Sequence, residues 1–414
     1  MLPSCRSAPR QATIWDYIND GRSSTTTQST TSCWSSGSVR RQSHSSCDTL
    51  ERPAKDHTLL GLPNIGNSCY LNATLQCLFG LQQFVGELRR RDDCRPDLRG
   101  HLSKCFSDLH LARSGHMDEK VKLVRALKKT VSDNYRDFCG DEQQDAHEFL
   151  SVLLSQLKEE SESLKRRLAL GSYSCPVESN FDFRVQVVRT CCRCGAQVCG
   201  TEFYSNLSLD LVPQGNLQDS LKQYFKVTKV DCRCPKCPGQ QATVQTRLLS
   251  LPRVLVLQLK RFTMTSSWTL QKLESKVAIP PELSLHPHCA LKVETPQEPV
   301  GTGSQSSGIE TMSEEEQVEL AIKLSMEASS PSSAETQSQV GQGERKGANQ
   351  GHRYKLRSIL SHLGRSTTCG HYVCDGHNGD SWLTFDDHVV QRSSQDSVLQ
   401  LRERSAYLLF YVYR

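Results

Sequence analysis

The stretch Gly-Leu-Pro-Asn-Ile-Gly-Asn-Ser-Cys-Tyr-Leu-Asn, residues 61–72, is a loop that turns abruptly into a helix. Its glycines, proline and asparagines favour turns, because each adopts backbone angles that other residues resist. From Leu71 onward, apolar residues recur with the one-face spacing of a helix, at Leu71, Leu75, Leu78 and Phe79. Cys69 therefore lies where the loop ends and the helix begins.

A thiol at this position has two interpretations. The free N–H groups and the positive end of the helix dipole stabilise a thiolate, which would make Cys69 a nucleophile. A small buried cysteine that only packs at a helix start is the alternative. The stretch alone does not choose between them, so the choice rests on the rest of the chain.

Composition restricts the class of protein. The chain has 414 residues, enough for one large domain or two ordinary ones, and its net charge of +5 is too small to indicate nucleic-acid binding. It contains no apolar run long enough to span a membrane, and residues 1–10 lack the apolar core of a secretion signal. The 19 cysteines are therefore expected to be metal ligands, a nucleophile or buried filler rather than disulfides.

Polar segments divide the chain. Residues 1–55 are rich in Ser, Thr, Gln and Arg and predict a disordered N-terminal tail. Within this tail, residues 11–18 weakly resemble the peptide that docks on the DNA sliding clamp, and a generic apolar patch is the alternative. Residues 294–350 predict a disordered insertion, inside which residues 314–327 form an acidic helix candidate. Globular composition covers the rest of residues 59–413.

Helical periodicity dominates the first third of the chain and strand periodicity dominates the remainder. Apolar residues repeat with helical spacing over residues 121–131 and 146–157. They alternate over residues 181–187, as in a half-buried strand. The continuous apolar run 254–259 predicts a strand covered on both faces, and residues 406–413 predict a further strand. The pattern indicates an α+β fold.

Two C-x-x-C pairs predict a metal site. Two residues between cysteines allow both sulfurs to bind one ion, and four thiolates in this arrangement are typical of a structural zinc site. Cys192 and Cys232 are alternative ligands, but they do not form clean C-x-x-C pairs. No histidine or open ligand position is indicated. The expected ligands are Cys191, Cys194, Cys234 and Cys237.

A thiol nucleophile needs a base and a group that orients the base. Among 13 histidines, His371 stands out because Gly370 precedes it and a strand follows it. A second strand at residues 382–387 could form a hairpin that brings a carboxylate beside the imidazole. A surface histidine in a β-hairpin is the alternative that the pattern leaves open.

Five motifs, in the same order along the chain, resemble those of the ubiquitin-specific protease family of cysteine deubiquitinases. The resemblance covers residues 59–413. The motifs are the cysteine stretch 61–72, the segment 143–149, the two C-x-x-C pairs, the segment 257–262, and the histidine segment 370–372 with 382–387.

The resemblance implies a papain-like cysteine protease with thumb, palm and fingers regions and a structural zinc ion in the fingers. It implies hydrolysis of the isopeptide or peptide bond after the C-terminal glycine of ubiquitin. By position, Cys69 matches the nucleophile, His371 the general base and Asp386 the residue that orients it. Asn64 matches the oxyanion donor, and Asp387 matches a second acidic position that supports the site.

The resemblance also bears on partners and location. Residues 314–327 resemble a ubiquitin-interacting motif, inserted in the catalytic domain as in one branch of the family, which implies binding of polyubiquitin. A nuclear or cytoplasmic location is expected, without membrane or nucleic-acid partners. A deconjugase of a ubiquitin-like modifier and a non-catalytic ubiquitin-binding scaffold are the competing functions. A zinc-ribbon nucleic-acid module is disfavoured, because no basic and aromatic run surrounds the cysteine pairs.

Overall fold

The structure is a computed structural model that describes residues 57–94, 100–168, 174–264, 270–296, 351–364, 369–379 and 381–414. The predicted tail 1–55, the segment 11–18 and the helix candidate 314–327 lie outside these residues. Of the predicted insertion 294–350, the described part is residues 294–296, and the described chain resumes at Gly351, directly after the insertion. None of the helices in the described ranges has the length and apolar character needed to cross a membrane.

The helices of the first third form the region that we call the thumb, residues 69–181. Its central helix, α1, is buried along all eleven of its residues. The thumb helices are α1 (Cys69–Phe79), α2 (Gln82–Cys94), α3 (His101–Leu111), α4 (Met117–Asn134), α5 (Ala146–Leu168) and α6 (Pro176–Phe181). Two further helices, α7 (Leu217–Tyr224) and α8 (Gln395–Arg402), lie among the strands.

The strands follow from residue 183 onward, and all but two of their pairings in the two large sheets are antiparallel. They are β1 (Phe183–Cys191), β2 (Gln197–Tyr204), β3 (Leu207–Leu209), β4 (Thr228–Asp231), β5 (Gln241–Ser250), β6 (Val254–Leu259), β7 (Phe262–Met264), β8 (Leu270–Lys272), β9 (Glu282–Ser284), β10 (Cys289–Glu294), β11 (Arg353–Leu363), β12 (His371–Asn378), β13 (Ser381–Asp386), β14 (Val389–Ser393) and β15 (Ala406–Tyr413).

These strands build two large sheets. The eight-stranded sheet, which we call the palm, has the order β14-β13-β12-β11-β15-β6-β3, with β9 beside β11. The five-stranded sheet, which we call the fingers, has the order β10-β5-β1-β2, with β4 beside β5. Strands β7 and β8 form a separate pair. The predicted α+β fold is confirmed.

The palm separates two hydrophobic cores. Along β6, Val254 and Val256 join the core that includes the thumb helices, whereas Leu255 and Leu257 join the core at the base of the fingers. Successive side chains of a strand point to opposite faces, so a strand between two cores is apolar at every position. The prediction that residues 254–259 form a strand covered on both faces is confirmed.

One predicted boundary is wrong. The alternating pattern placed residues 181–187 in a strand, but Phe181 is the last residue of α6, and β1 begins at Phe183. Pro176 occupies the first turn of α6, where its fixed backbone angle favours a helix. Phe181 is buried with the thumb helices and Phe183 with the fingers, so two apolar residues separated only by Asp182 belong to different cores.

Candidate active site

The loop before Cys69 is tied together by its own polar groups. The Oδ1 of Asn64 accepts hydrogen bonds from the backbone N–H groups of Gly66, at 3.1 Å, and Ser68, at 3.2 Å. The Oγ of Ser68 accepts from the N–H of Ile65 at 2.9 Å. Cys69 is the first residue of α1 and is 4% exposed. The N–H groups of a first helical turn have no partner within the helix, so they are available to an anion.

The same loop is fixed to its surroundings. The N–H of Leu62 donates to the backbone oxygen of Asp387 at 2.8 Å. A Cβ at Gly61 would lie 2.3 Å from the backbone oxygen of His388, so only glycine allows this approach. The ammonium of Lys120, a buried residue of α4, donates to the backbone oxygens of Gly61, at 2.9 Å, and Leu59. Nothing in the sequence pattern pointed to Lys120.

Beside this loop lie His371 and Asp386, at the start of β12 and the end of β13. These strands are antiparallel neighbours, and the Nε2 of His371 donates to the Oδ1 of Asp386 at 2.6 Å. Both side chains are accessible, at 36% and 53% of their surface. With Nε2 occupied, the Nδ1 edge of the ring is left for a second partner.

The side chain of Cys69 acts on this imidazole. A hydrogen bond with the Cys69 side chain, followed by one with Asp386, raises the pKa of His371 to about 9 against the opposing effect of burial. The imidazole is therefore protonated at neutral pH, next to the sulfur. An imidazolium in this position stabilises a thiolate.

Asp387 connects the thumb to the palm with both of its carboxylate oxygens. Its Oδ2 accepts from the Nδ2 of Asn64 and its Oδ1 from the Nδ2 of Asn72, each at 2.8 Å. Asp387 has a φ of 50°, in the left-handed region, which Asp adopts more readily than most residues. No sequence pattern assigned a role to Asn72, a buried amide in the first turn of α1.

These contacts fix the orientation of the Asn64 amide. Its oxygen already accepts from the loop, so the NH₂ group is the side that faces outward. One of its hydrogens goes to Asp387 and the other is left over. A donor hydrogen of Asn64 is therefore available in the loop that precedes Cys69.

The segment 143–149 also joins the thumb to the palm. Gln143 exchanges two hydrogen bonds with Gly370, and His147 donates through Nε2 to the Oδ1 of Asn206 at 3.1 Å. Asp145 accepts from the first N–H groups of α5 and from the hydroxyl of Tyr407, at 2.7 Å. The sequence identified this motif without assigning functions to its residues.

The four predicted metal ligands converge in the fingers. The Sγ atoms of Cys191, Cys194, Cys234 and Cys237 lie within 4.8 Å of one another, while Cys192 and Cys232 are outside the group. Backbone N–H groups donate to three of the sulfurs: Arg193 to Cys191, Lys236 to Cys234, and Gly239 to Cys237. Four sulfurs at this spacing, each in a tight turn, fit a tetrahedral divalent ion such as zinc.

The ionisation of these thiols favours a cation between them. Backbone N–H groups, that of Cys194 first, lower the pKa of Cys191 to about 6. The Gly239 N–H also lowers the pKa of Cys237, but burial and the neighbouring thiols outweigh it and raise that pKa to about 12. Four adjacent thiolates repel one another unless a positive ion separates them.

A second group of possible ligands, His371, Asp386 and Asp387, also lies within 4.8 Å. Its polar atoms are already engaged: Asp386 holds His371, and both oxygens of Asp387 hold asparagine amides. This group is therefore a hydrogen-bond network rather than a metal site; it lies where the loop before α1 meets the palm, a place that we call the cleft.

Comparison with known proteins agrees with this architecture. The model of the ubiquitin carboxyl-terminal hydrolase family matches residues 60–411. Ubiquitin carboxyl-terminal hydrolase 37 of Homo sapiens is 34% identical over 262 residues, which is 58% of this chain and 27% of that protein. Ubiquitin carboxyl-terminal hydrolase 29 of Homo sapiens is 30% identical over 273 residues, 59% of this chain and 30% of that protein.

Among solved structures, a SAGA DUB module of Ubp8, Sgf11, Sus1 and Sgf73 bound to ubiquitin aldehyde matches with a TM-score of 0.64 and 22% identity. The match covers 89% of this chain and 72% of the other. The fold is thus that of the thumb–palm–fingers catalytic domains, and the chain belongs to the ubiquitin carboxyl-terminal hydrolase family. The chain matches little more than a quarter of the length of the first curated relatives.

Proposed function

We propose that this protein is a thiol-dependent deubiquitinase that hydrolyses the bond after the C-terminal glycine of ubiquitin. The observation that carries the proposal is the contact of His371 with both Cys69 and Asp386, which raises the pKa of the imidazole to about 9. A thiolate beside an imidazolium is the resting state of a cysteine protease. Family membership supplies the class of substrate.

In the first half of the reaction, the Cys69 sulfur attacks the carbonyl carbon of the glycine. The carbonyl electrons move to oxygen, and the imidazolium of His371 then gives its proton to the departing amine as the carbon–nitrogen bond breaks. A thioester between Cys69 and ubiquitin remains. In the second half, neutral His371 removes a proton from water as the water oxygen attacks the thioester carbon. The carbon–sulfur bond then breaks, ubiquitin leaves with a free C-terminal carboxyl group, and the thiolate–imidazolium pair is restored.

The negative oxygen of each tetrahedral intermediate needs donors fixed in advance. The Nδ2 of Asn64 and the backbone N–H of Cys69 fill this role, because the loop fixes the first and the helix start frees the second. Asp386 holds the ring orientation of His371, and Asp387 holds Asn64. Each predicted catalytic residue thus has a distinct part in the proposed mechanism.

Zinc, in this proposal, is structural. Cys191, Cys194, Cys234 and Cys237 would hold it, and it would supply charge neutralisation and cross-linking of two turns. Cys191 ends β1, and the second pair lies between β4 and β5, so the ion would fasten the ends of finger strands. This site takes no part in the chemistry proposed for the cleft.

Binding of polyubiquitin by residues 314–327 is proposed from the sequence alone, because those residues lie outside the described ranges. In the predicted helix, the small residues Ala321 and Ser325 would lie one turn apart between aliphatic residues, which would suit close docking on an apolar patch. The nuclear or cytoplasmic location stays a prediction, as does the weak sliding-clamp resemblance at residues 11–18. Microscopy of the tagged chain would test the predicted location.

The decisive test of the activity is cleavage of a fluorogenic ubiquitin C-terminal amide, compared with the corresponding amides of ubiquitin-like modifiers. We expect cleavage of the ubiquitin substrate and adduct formation with an electrophilic ubiquitin probe at Cys69. Preference for another modifier would support the deconjugase alternative. Absence of both cleavage and adduct, with ubiquitin binding retained, would support the scaffold alternative.

Replacing Ala321 or Ser325 by Trp tests the proposed binding helix. We expect weaker binding of polyubiquitin, because a bulky side chain prevents close docking, and unchanged cleavage of the fluorogenic amide. Binding is measured by pull-down of defined ubiquitin chains. Equal loss of binding and cleavage would argue against a separate binding helix.

A further inference from the structure

The side chain of Gln143 forms two reciprocal hydrogen bonds with a single residue of the palm. Its Oε1 accepts from the backbone N–H of Gly370 at 2.9 Å, and its Nε2 donates to the backbone oxygen of Gly370 at 3.0 Å. Two bonds of opposite direction define both the distance and the rotation of the paired groups. The amide therefore acts on Gly370 as a neighbouring strand would, although 227 residues separate the two in sequence.

On its other side, Gly370 is enclosed by strand β11. A Cβ at Gly370 would lie 2.1 Å from the Nε2 of His362 and 2.9 Å from the backbone oxygen of Leu363. His362 is buried, and Leu363 pairs with His371 across the two strands. Gly370 is thus held between β11 and Gln143, and the next residue along the chain is His371. The contacts of Gly370 with β11 and Gln143 therefore also fix the start of β12, the strand that carries His371.

Gln143 is in turn connected to the helix that carries Cys69. It lies three residues before α5, where Phe149 packs edge-on against the ring of Tyr70 with ring centres 5.4 Å apart. Thr74 of α1 also donates to the backbone oxygen of Ala146 at 3.5 Å. Helix α1 and the start of α5 therefore pack together, and Gln143, three residues before α5, connects them to the palm.

We infer that Gln143 is a positioning residue, whose paired hydrogen bonds to Gly370 set the place of His371 relative to Cys69. The inference rests on the cysteine-protease chemistry proposed above. The nucleophile Cys69 lies in the thumb and the base His371 lies in the palm. The distance between them therefore depends on the contacts that join thumb and palm near these two residues. A displacement of about 1 Å at such a pair costs roughly a hundredfold in rate.

The adjacent residue supplies a matched control. Gln144 has the same side chain and donates through Nε2 to the backbone oxygen of Asp137 at 2.7 Å, a contact within the thumb. Replacing Gln144 by Ala removes an amide and a hydrogen bond without touching the palm. Any difference between the variants Gln143→Ala and Gln144→Ala therefore reports the contact with Gly370.

The experiment measures carbamidomethylation of Cys69 by iodoacetamide as a function of pH, with the Cys69 peptide followed by mass spectrometry. In the parent protein and in Gln144→Ala we expect a plateau of fast reaction at neutral pH, as an imidazole-paired thiolate gives. In Gln143→Ala we expect the neutral plateau to fall and the profile to approach that of a free thiol, which ionises near about pH 8.5. Turnover of the fluorogenic ubiquitin amide should show kcat lowered about 10- to 100-fold with a much smaller change in KM.

A retained plateau and unchanged kcat in Gln143→Ala would overturn the inference. Equal losses in the two glutamine variants would do the same, since they would indicate a general structural effect. If Gln143→Ala does not fold, Gln143→Glu preserves the shape but removes the donor to Gly370, and it should lower the plateau. Alkylation needs no ubiquitin, so a Gln143-dependent plateau without ubiquitin cleavage would refute the proposed substrate alone. A free-thiol profile in the parent protein would refute both proposals.

Discussion

Cysteine thiols occur at turns in both the cleft and the fingers, but their surroundings differ. Cys69 begins a buried helix, and its side chain raises the pKa of His371. The Sγ atoms of the four cysteines in the fingers lie within 4.8 Å of one another, and backbone N–H groups donate to three of them. One imidazole beside one thiol produces a nucleophile, whereas four converging sulfurs produce a site for a cation. Substitutions in the cleft should therefore affect turnover, and substitutions in the fingers should affect stability.

The largest effect is expected for Cys69→Ala. Without the nucleophile, turnover of the fluorogenic ubiquitin amide should fall by more than about 10⁴-fold, while Tm stays close to that of the parent. The control is Cys77→Ala, which removes the other cysteine of α1, buried against Cys374 at 3.3 Å between sulfurs. This control should keep its turnover and lose stability by about 1 kcal/mol. Full activity of Cys69→Ala would place the nucleophile elsewhere.

The next effect concerns Asp386→Asn and the pH profile. The pKa of His371 is raised from 6.5 to about 9, so the imidazolium persists up to that pH. The interactions of the imidazolium with Cys69 and Asp386 therefore stabilise the folded protein fully below pH 6.5, and this stabilisation is lost as the pH rises through about 9. Removing the charge of Asp386 removes one cause of the shift. The alkaline fall in kcat/KM should move to lower pH, and kcat should drop by about 10²- to 10⁴-fold. An alkaline limb that stays in place would exclude Asp386 from this role.

A smaller effect is expected for Asn64→Ala. Loss of one oxyanion donor typically lowers kcat by about 10²- to 10³-fold. KM should change little, because the donor is used after the thiolate attacks. Steady-state kinetics on the fluorogenic amide separate the two constants. A rise in KM at constant kcat would mean that Asn64 binds substrate rather than the developing negative charge.

The smallest effect on turnover is expected in the fingers. Chelation of the metal, or Cys194→Ser, should lower Tm by roughly 5–15 °C, because a bound ion stabilises the folded state only. Turnover per folded molecule should stay near that of the metal-loaded protein. Cys192→Ser is the control, since Cys192 is exposed and outside the cluster, and its Tm should not move. Loss of turnover at unchanged Tm would contradict a purely structural metal.

Much of the fold could be predicted because its elements follow from local patterns. The helix at Cys69, the strand 254–259 between two cores and the two C-x-x-C turns each depend on residues close in sequence. Periodicity also failed locally: it could not separate Phe181, which ends a helix, from Phe183, which begins a strand. A short apolar pattern fits both structures, and the preceding Pro176 is what favours the helix.

By itself, the sequence determined which elements form and which faces they bury, because spacing along the chain sets the direction of side chains. It also identified Cys69 as a candidate nucleophile, His371 as a candidate base and the cysteine pairs as candidate metal ligands. Only the tertiary structure decided their partners. Asp387 forms a hydrogen bond with Asn64, 323 residues away in sequence, and Gln143 forms hydrogen bonds with Gly370, 227 residues away. Such contacts depend on strand register and on turns such as the left-handed Asp387, which no pattern of apolar residues encodes.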